Sequence, residues 1–302
     1  MFFLTAVRKR ENGNAQERVV AHGMLHGELD VKDVDMKDHQ VPLKTKLVFC
    51  IALIIVSHRF FASGIDDGLE QMRFYEKASL NKFFQYSTEY ESLGYVLFFE
   101  NKPACSIGCC NQQKDYKRVL CGWKVWKKYE HLFPHPNFIF CNEKVIHAED
   151  CQMINLYIVN KKSLSKCISD NEFLFKRHLG ENFSKENFIE LIETTKDLDQ
   201  AIANNELLRG IILGFGQESS NAFYMQNISL HPHTFASWTD TYCSVGDDQH
   251  CRIYSVGFMG NPQSEEVKSL LRVYRQEREL IHKKFCCSKK KLKLVLEALC
   301  QS

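Results

Sequence analysis

The sequence lacks an excess of charge of either sign. Its 302 residues include 39 Lys and Arg against 37 Asp and Glu, a formal net charge of +2. A protein that binds nucleic acid through its overall electrostatic field needs a clear positive excess. We therefore expect no nucleic-acid partner. The chain is 44% hydrophobic, which excludes a disordered polymer and predicts a globular protein.

Motifs of the common enzyme classes are absent as well. The chain has no G-x-S-x-G, no H-E-x-x-H and no C-x-x-C. The glycine-rich run 210–216 continues with Gln217, whereas a phosphate loop ends in G-K-[ST]. Gly210 and Gly214 lie four residues apart, which favours close packing of one helix face. We predict no cofactor and expect a protein that is not an enzyme.

No hydrophobic run reaches the length of a membrane span. Residues 47–56 are ten consecutive apolar residues, whereas a spanning helix needs about 20. Lys44 and Lys46 precede this run, and the small residues 62–64 follow it. A basic start, an apolar centre and a small-residue exit are typical of an export signal. We predict a signal peptide over residues 44–64 and an exported protein in the periplasm, in the envelope or secreted.

Cleavage of this signal is expected between Gly64 and Ile65. The alternative is a retained single-pass anchor that contacts the membrane through residues 47–56. That anchor would carry the polar residues 57–59 into lipid, which is costly. A third interpretation is a buried core helix.

The position of the signal is unusual, because some forty residues precede it. We interpret residues 1–43 as a disordered or spurious extension. An alternative start codon at Val41 or Leu43 would place the signal at the true N-terminus. Residues 65–302 would then form a single exported domain.

Cysteine, by contrast, is abundant, with thirteen residues. Cys50 lies in the apolar run, and twelve others follow it. Such a set downstream of an export signal favours disulfide bonds. The alternative is reduced, buried cysteine that packs as a small hydrophobic residue. The twelve are Cys105, Cys109, Cys110, Cys121, Cys141, Cys151, Cys167, Cys243, Cys251, Cys286, Cys287 and Cys300.

Residues 229–251 contain the highest density of reactive side chains. A transition metal needs three or four converging nitrogen, sulfur or oxygen ligands. The spacing here is not that of a zinc finger, and a disulfide between Cys243 and Cys251 is the simpler interpretation. A third interpretation of residues 229–251 is an ordinary polar surface loop. The weak metal candidates are His231, His233, Cys243, His250 and Cys251.

A basic patch lies at the C-terminus. Its lysines could belong to a helix on a membrane surface or could simply be solvated. We favour the solvated interpretation. The lysines are Lys283, Lys284, Lys289, Lys290, Lys291 and Lys293.

The order of apolar patterns predicts an α+β fold. We expect a small, mostly antiparallel sheet of about four to five strands, packed with helices, and a helix-rich C-terminal half. Residues 94–99 and 104–107 are predicted to form a hairpin. The apolar run in 153–159 predicts a central strand. Ser184 and Ser264 are predicted helix N-caps.

Three segments carry a family resemblance. They are Leu93-Gly94-Tyr95-Val96-Leu97-Phe98 with Lys102-Pro103, the run 210–216 with Asn221, and Gly260-Asn261-Pro262 with Ser264-Glu265-Glu266. Together they resemble a family of exported envelope proteins of chlamydia-like bacteria, which has no known activity. The resemblance spans roughly residues 66–302 and implies a bacterial envelope or secreted location.

The function expected from these features is binding rather than catalysis. The leading hypothesis is a cysteine-rich envelope or secreted binding protein, with an envelope or host protein as a possible partner. One alternative is an exported hydrolase with a non-local active site near residues 229–251. Another is a membrane-tethered accessory protein.

Overall fold

A computed structural model describes residues 2–11, 14–23, 64–147, 151–229, 235–236, 253, 256–261 and 263–301. The chain divides into two units, Met1–Ala52 and Leu53–Ser302. In the first unit, strands β1 (Phe2–Glu11) and β2 (Asn14–Gly23) pair as an antiparallel hairpin. This hairpin falls within the predicted extension 1–43. The interpretation of that segment as spurious stays a prediction.

The second unit begins with helices. Helix α1 covers residues 64–70. It is followed by α2 (Phe74–Glu89), α3 (Leu93–Phe98) and, after one strand, α4 (Tyr116–Tyr129). Helices α2 and α4 approach closely at Gly122, where an added Cβ would lie 2.3 Å from the Cβ of Phe83. The large side chains of α4, Trp123 and Trp126, are buried beside this contact.

The sheet is four-stranded and antiparallel, as the sequence predicts. Its strands are β3 (Ala104–Cys110), β4 (Phe138–Phe140), β5 (Lys144–His147) and β6 (Gln152–Asn160). Strand β6 pairs with all three of the others, so the prediction of a central strand is confirmed.

Successive side chains of β6 point to opposite faces of the sheet. Leu156 and Ile158 belong to one hydrophobic cluster, whereas Tyr157 and Val159 belong to another. The sheet therefore separates two cores. The first core also contains side chains of α2, α3 and α4, and the second contains those of the helices that follow β6.

The C-terminal half is helical, which confirms the α+β prediction. After β6 come α5 (Lys161–Asp170), α6 (Glu172–Leu179), α7 (Lys185–Thr195), α8 (Leu198–Ala201), α9 (Glu206–Ile212) and α10 (Gln217–Ser229). Strands β7 (Phe235–Ala236) and β8 (Phe258–Met259) have two residues each and pair with each other. They are followed along the chain by α11 (Glu265–Ile281), a π-helical turn (His282–Cys286) and α12 (Lys291–Gln301).

Both predicted N-caps are confirmed. The Ser184 hydroxyl accepts a hydrogen bond from the backbone N–H of Asn187 at 3.3 Å, at the start of α7. The Ser264 hydroxyl accepts one from the N–H of Val267 at 3.3 Å, at the start of α11. Each serine thus satisfies one of the N–H groups that a helix start leaves without a partner.

The predicted hairpin of residues 94–99 with 104–107 is wrong. Residues 94–98 belong to helix α3, and β3 pairs with β6 instead. Tyr95, Val96 and Leu97 are all buried, because α3 is enclosed by the first core. A short segment that is apolar on every side shows no period by which a helix differs from a strand.

The disulfide prediction is also wrong for the part of the chain that is described. None of its ten cysteines forms a disulfide. Buried Cys105 and Cys109 pack in the first core, which is the alternative role considered for them. The proposed pair Cys243 and Cys251 lies outside the described residues.

The prediction of a transmembrane helix is corrected as well. Within the ranges that the structure describes, no helix has both the length and the apolar character needed to cross a membrane. The apolar run 47–56 lies outside those ranges. Gly64 begins α1, and Ile65 is buried in the first core. Cleavage between these two residues stays a prediction.

Candidate functional site

A groove lies among the described residues where the end of α3 meets the end of α11. Its volume is about 400 Å³. This is within the range of about 300–1,000 Å³ that small-ligand pockets occupy. Its lining consists of Phe98, Phe99, Leu280, Ile281, Lys283 and Lys284.

The floor of the groove is apolar. Phe98 and Phe99 are partly buried against the first core, and Ile281 is fully buried within it. Leu280 is the neighbour of Ile281 on α11, yet 51% of its surface is exposed. Leu280 therefore extends the apolar lining of the groove to the protein surface.

The rim of the groove is basic. Lys283 and Lys284 are exposed on the π-helical turn that directly follows α11. The Lys284 ammonium lies 4.4 Å from the centroid of the Phe98 ring, a cation–π contact that orients it across the groove. Single π-helical turns occur often at functional sites, because they displace side chains from the regular helix pattern.

The two rim lysines differ from the rest of the basic patch in their partners. Lys291 pairs with buried Glu89 at 2.8 Å, and Lys293 pairs with Asp66 at 2.7 Å. Lys283 and Lys284 form no ion pair with any carboxylate that the structure describes.

Glu100 is the acidic residue that follows the groove floor in sequence. Its carboxylate pairs with Lys162 instead of with the rim. Glu100 therefore does not neutralise the rim lysines.

A buried polar cluster follows the groove floor in sequence. Lys102 is only 1% exposed, and its ammonium donates a hydrogen bond to the carbonyl of Leu213. It also lies 5.0 Å from the centroid of the Phe215 ring. Burial lowers the pKa of Lys102 to about 8, although the nearby Cys105 and Glu277 oppose that shift.

Glu277 on α11 completes this cluster. Asn101 Nδ2 donates to Glu277 Oε1 at 2.6 Å, and Oε2 has no hydrogen-bond partner among the described residues. Burial raises the pKa of the Glu277 carboxyl, against the Asn101 hydrogen bond and the charge of Lys102. Tyr274 Oη donates to the carbonyl of Gly214 at 2.5 Å.

These contacts join α11 to the turn before β3 and to the loop between α9 and α10. An amine with a lowered pKa beside a carboxyl could in principle exchange protons. Lys102, however, is enclosed and donates to a backbone carbonyl, and Glu277 is 4% exposed. A substrate cannot reach either group in this arrangement. We therefore assign the cluster a structural role.

A second titratable cluster lies beside β3. Tyr86 Oη is 3.4 Å from Glu91 Oε1 and 3.4 Å from the carbonyl oxygen of Gly108. Burial raises the pKa of Glu91 to about 8. The adjacent Cys109 thiol has its pKa raised to about 11, first by burial, so it stays protonated near neutral pH. A thiol of this kind is a poor nucleophile.

A third cluster consists of paired charges. Lys144 bridges Asp197 at 2.8 Å and Asp199 at 3.0 Å, and Asp199 in turn pairs with Arg209 at 3.0 Å. Each cation faces a carboxylate, so the network holds β5 to α8 and α9. It offers no unmatched charge to a ligand.

The metal candidates lie outside the described residues. This applies to His231, His233, Cys243, His250 and Cys251. Within the described ranges, no group of three or more His, Cys, Asp or Glu side chains could hold a metal ion.

The glycine run behaves partly as predicted. At Gly210 on α9 an added Cβ would lie 2.5 Å from the Ser220 hydroxyl on α10, which confirms close helix packing there. Gly214 instead lies beyond the end of α9 with a φ of +77°, so the two glycines do not share one helix face.

Sequence reasoning missed the groove. Phe98 and Leu280 come from distant parts of the chain, and the apolar pattern of residues 94–99 predicts a strand where the structure has helix α3. The sequence signal that could have indicated the groove is Leu280, an apolar residue shortly before Lys283 and Lys284 at the end of a highly charged helix.

Comparison of the chain with protein-family models, with curated proteins and with solved structures finds no match. The resemblance to exported proteins of chlamydia-like bacteria therefore stays a prediction.

Proposed function

We propose that this protein acts by binding, and that the groove between α3 and α11 is its ligand site. The observation that carries the proposal is the combination of exposed Leu280, an aromatic floor and two lysines that have no carboxylate partner among the described residues. An apolar surface with a few oriented polar groups is the usual composition of a binding pocket. The Lys102–Glu277 cluster is closed to substrates, which favours binding over catalysis.

Photocrosslinking from inside the groove tests this proposal. A benzophenone amino acid replaces Leu280 in the full chain, which is expressed in the cells that produce it. The matched control carries the same group at Leu191, which is 42% exposed on α7 and is not among the residues that line the groove. We expect a discrete adduct from position 280 and none from position 191. Intact-protein mass spectrometry then reports whether the adduct is a protein or a small molecule.

The proposal fails if position 280 gives no adduct, or gives the same adducts as position 191. Random collision would produce that second result. Expression of the same protein with Phe98→Ala added tests the floor of the groove. The adduct from position 280 should then weaken several-fold, because an aromatic anchor contributes much of the energy at such sites.

Export is a separate proposal that rests on residues 44–64. Their basic start, apolar centre and small-residue exit support it. The described cysteines no longer do, because they form no disulfides. N-terminal peptide mapping combined with cell fractionation tests it. A mature N-terminus near Ile65 in an exported fraction would support it, and a native peptide from within residues 1–40 would contradict the start-site hypothesis.

A further inference from the structure

We infer that the occupant of the groove is an acidic, amphipathic peptide segment of a partner protein. This inference rests on the proposed function and names the partner's chemistry. The segment would place an apolar side chain on the floor formed by Phe98, Phe99 and Leu280. It would place carboxylates beside Lys283 and Lys284.

Charge complementarity is the first argument. Both rim lysines are exposed, and neither has a carboxylate partner among the described residues. The groove lining contains no acidic residue, and Glu100, which follows Phe99 in sequence, is engaged by Lys162. Complementary charges at a rim steer the partner and set its orientation.

The shape of the site is the second argument. A concave volume of about 400 Å³ accepts a protruding side chain, which a peptide can insert and a flat bilayer cannot. Amphipathic peptides bind hydrophobic grooves in this way, with apolar anchors inside and charges outside.

The third argument concerns the alternative of a membrane surface. A membrane-binding helix needs an apolar face that can enter the lipid. In α12 the candidates Val295, Leu296 and Leu299 are buried in the first core. The basic patch at the C-terminus therefore has no insertion face on α12, which favours a protein partner.

A peptide-display selection against the full-length chain tests the inference. Two libraries share the same randomised apolar positions. One carries glutamate at its fixed polar positions, and the other carries glutamine. We expect enrichment of the glutamate library and little enrichment of the glutamine library. A selected peptide should then bind in a fluorescence-anisotropy titration, with affinity that falls as salt is added.

Charge-reversal variants connect that binding to the groove. Lys283→Glu combined with Lys284→Glu should weaken the selected peptide about tenfold or more, since two attractions become repulsions. The matched control is Lys289→Glu combined with Lys290→Glu. These lysines are exposed in the same basic segment but are not among the groove lining. The control should change the affinity by less than about threefold.

Several outcomes overturn the inference. Equal enrichment of both libraries would show that carboxylates are not recognised. Equal losses in the two double variants would show that the groove is not the site. A third outcome is that no acidic peptide is selected. If the chain then binds anionic vesicles, and charge reversal of Lys283 and Lys284 abolishes that binding, the rim binds lipid. If the same reversal instead abolishes self-association, the rim binds a second copy of the chain. In each case a specific adduct at position 280 would leave the proposed function standing.

Discussion

The hydroxyl of Tyr86 and the carboxyl of Glu91 are hydrogen-bonded to each other, with Tyr86 Oη 3.4 Å from Glu91 Oε1. The pair lies in a partly buried region in which the carboxylate loses hydration. Burial is the main reason that the pKa of Glu91 rises to about 8, while the Tyr86 hydrogen bond opposes the shift. The folded protein therefore holds this carboxyl protonated over a pH range in which the unfolded chain releases the proton.

Glu91→Gln should remove a loss of unfolding free energy that the wild type suffers as the pH rises. A raised carboxyl pKa stabilises the fold below about pH 4.5, and that contribution disappears as the pH rises to about 8. The variant should match the wild type near pH 4 and exceed it near pH 9 by about 1–3 kcal/mol in unfolding free energy. Urea denaturation at several pH values measures this.

The control for that experiment is Glu190→Gln, because Glu190 is exposed on α7. It should leave the pH profile unchanged. A Glu91→Gln variant that is less stable than the wild type at high pH would contradict the burial of an ionisable carboxyl at this position.

Lys102→Met should change stability with the opposite pH dependence. The pKa of Lys102 falls to about 8 in the folded state, from about 10.5 in a free lysine. Its contribution is present above about pH 10.5 and is lost as the pH falls through 8. As the pH rises from about 8 to about 10.5, the unfolding free energy of the wild type should therefore increase by about 1–3 kcal/mol relative to that of the variant.

Chemical denaturation of both proteins in parallel measures that difference. Lys124→Met is the matched control, since Lys124 is exposed on α4. A constant difference between the wild type and Lys102→Met across the alkaline range would show that the amine is solvated rather than enclosed.

Gly122→Ala should destabilise the contact between α2 and α4. The new methyl would lie 2.3 Å from Phe83 Cβ and 2.6 Å from the carbonyl of Ser79, so the helices must separate. We expect a loss of about 1–3 kcal/mol of unfolding free energy. Gly108→Ala is the control, because nothing lies within 4 Å of its added Cβ and a change within about 0.5 kcal/mol is expected. Similar losses in the two variants would contradict the tight packing at Gly122.

Thiol accessibility should follow burial and not disulfide bonding. Cys121 and Cys287 are exposed, so iodoacetamide should alkylate them first in the native protein. Burial raises the pKa of Cys105 and of Cys141 to about 12, so these should react only after denaturation. Peptide mapping without reductant should recover alkylation at all ten described cysteines. Any of them that becomes labelled only after reduction would be disulfide-bonded, contrary to the structure.

Local patterns in the sequence predicted the local elements well. Ser184 and Ser264 were identifiable as caps because each is a serine directly before a helical pattern that has glutamate in its first turn. Trp123 and Trp126 fall on the buried side of α4, as helical spacing requires. The central position of β6 followed from its continuous apolar end, which only a strand covered on both faces needs.

Non-local features could not be predicted in this way. Asn101 and Glu277 meet although 176 positions separate them, and neither lies in a pattern that indicates the other. The groove has the same origin, because its floor and its rim come from α3 and from the end of α11. The burial of α3 on all sides removed the period by which a helix is recognised. Tertiary packing decides such cases.

Strand β6 has a consequence for how the protein unfolds. Its alternate side chains belong to the two cores on either side of the sheet, and its backbone pairs with every other strand of that sheet. Loss of either core would expose one face of β6 to water. The backbone hydrogen bonds between β6 and its neighbouring strands would then weaken, and with them the sheet against which the other core packs. The two cores are thus coupled through one strand, and the elements that build them should melt as one cooperative unit, with β6 amides among the last to exchange with solvent.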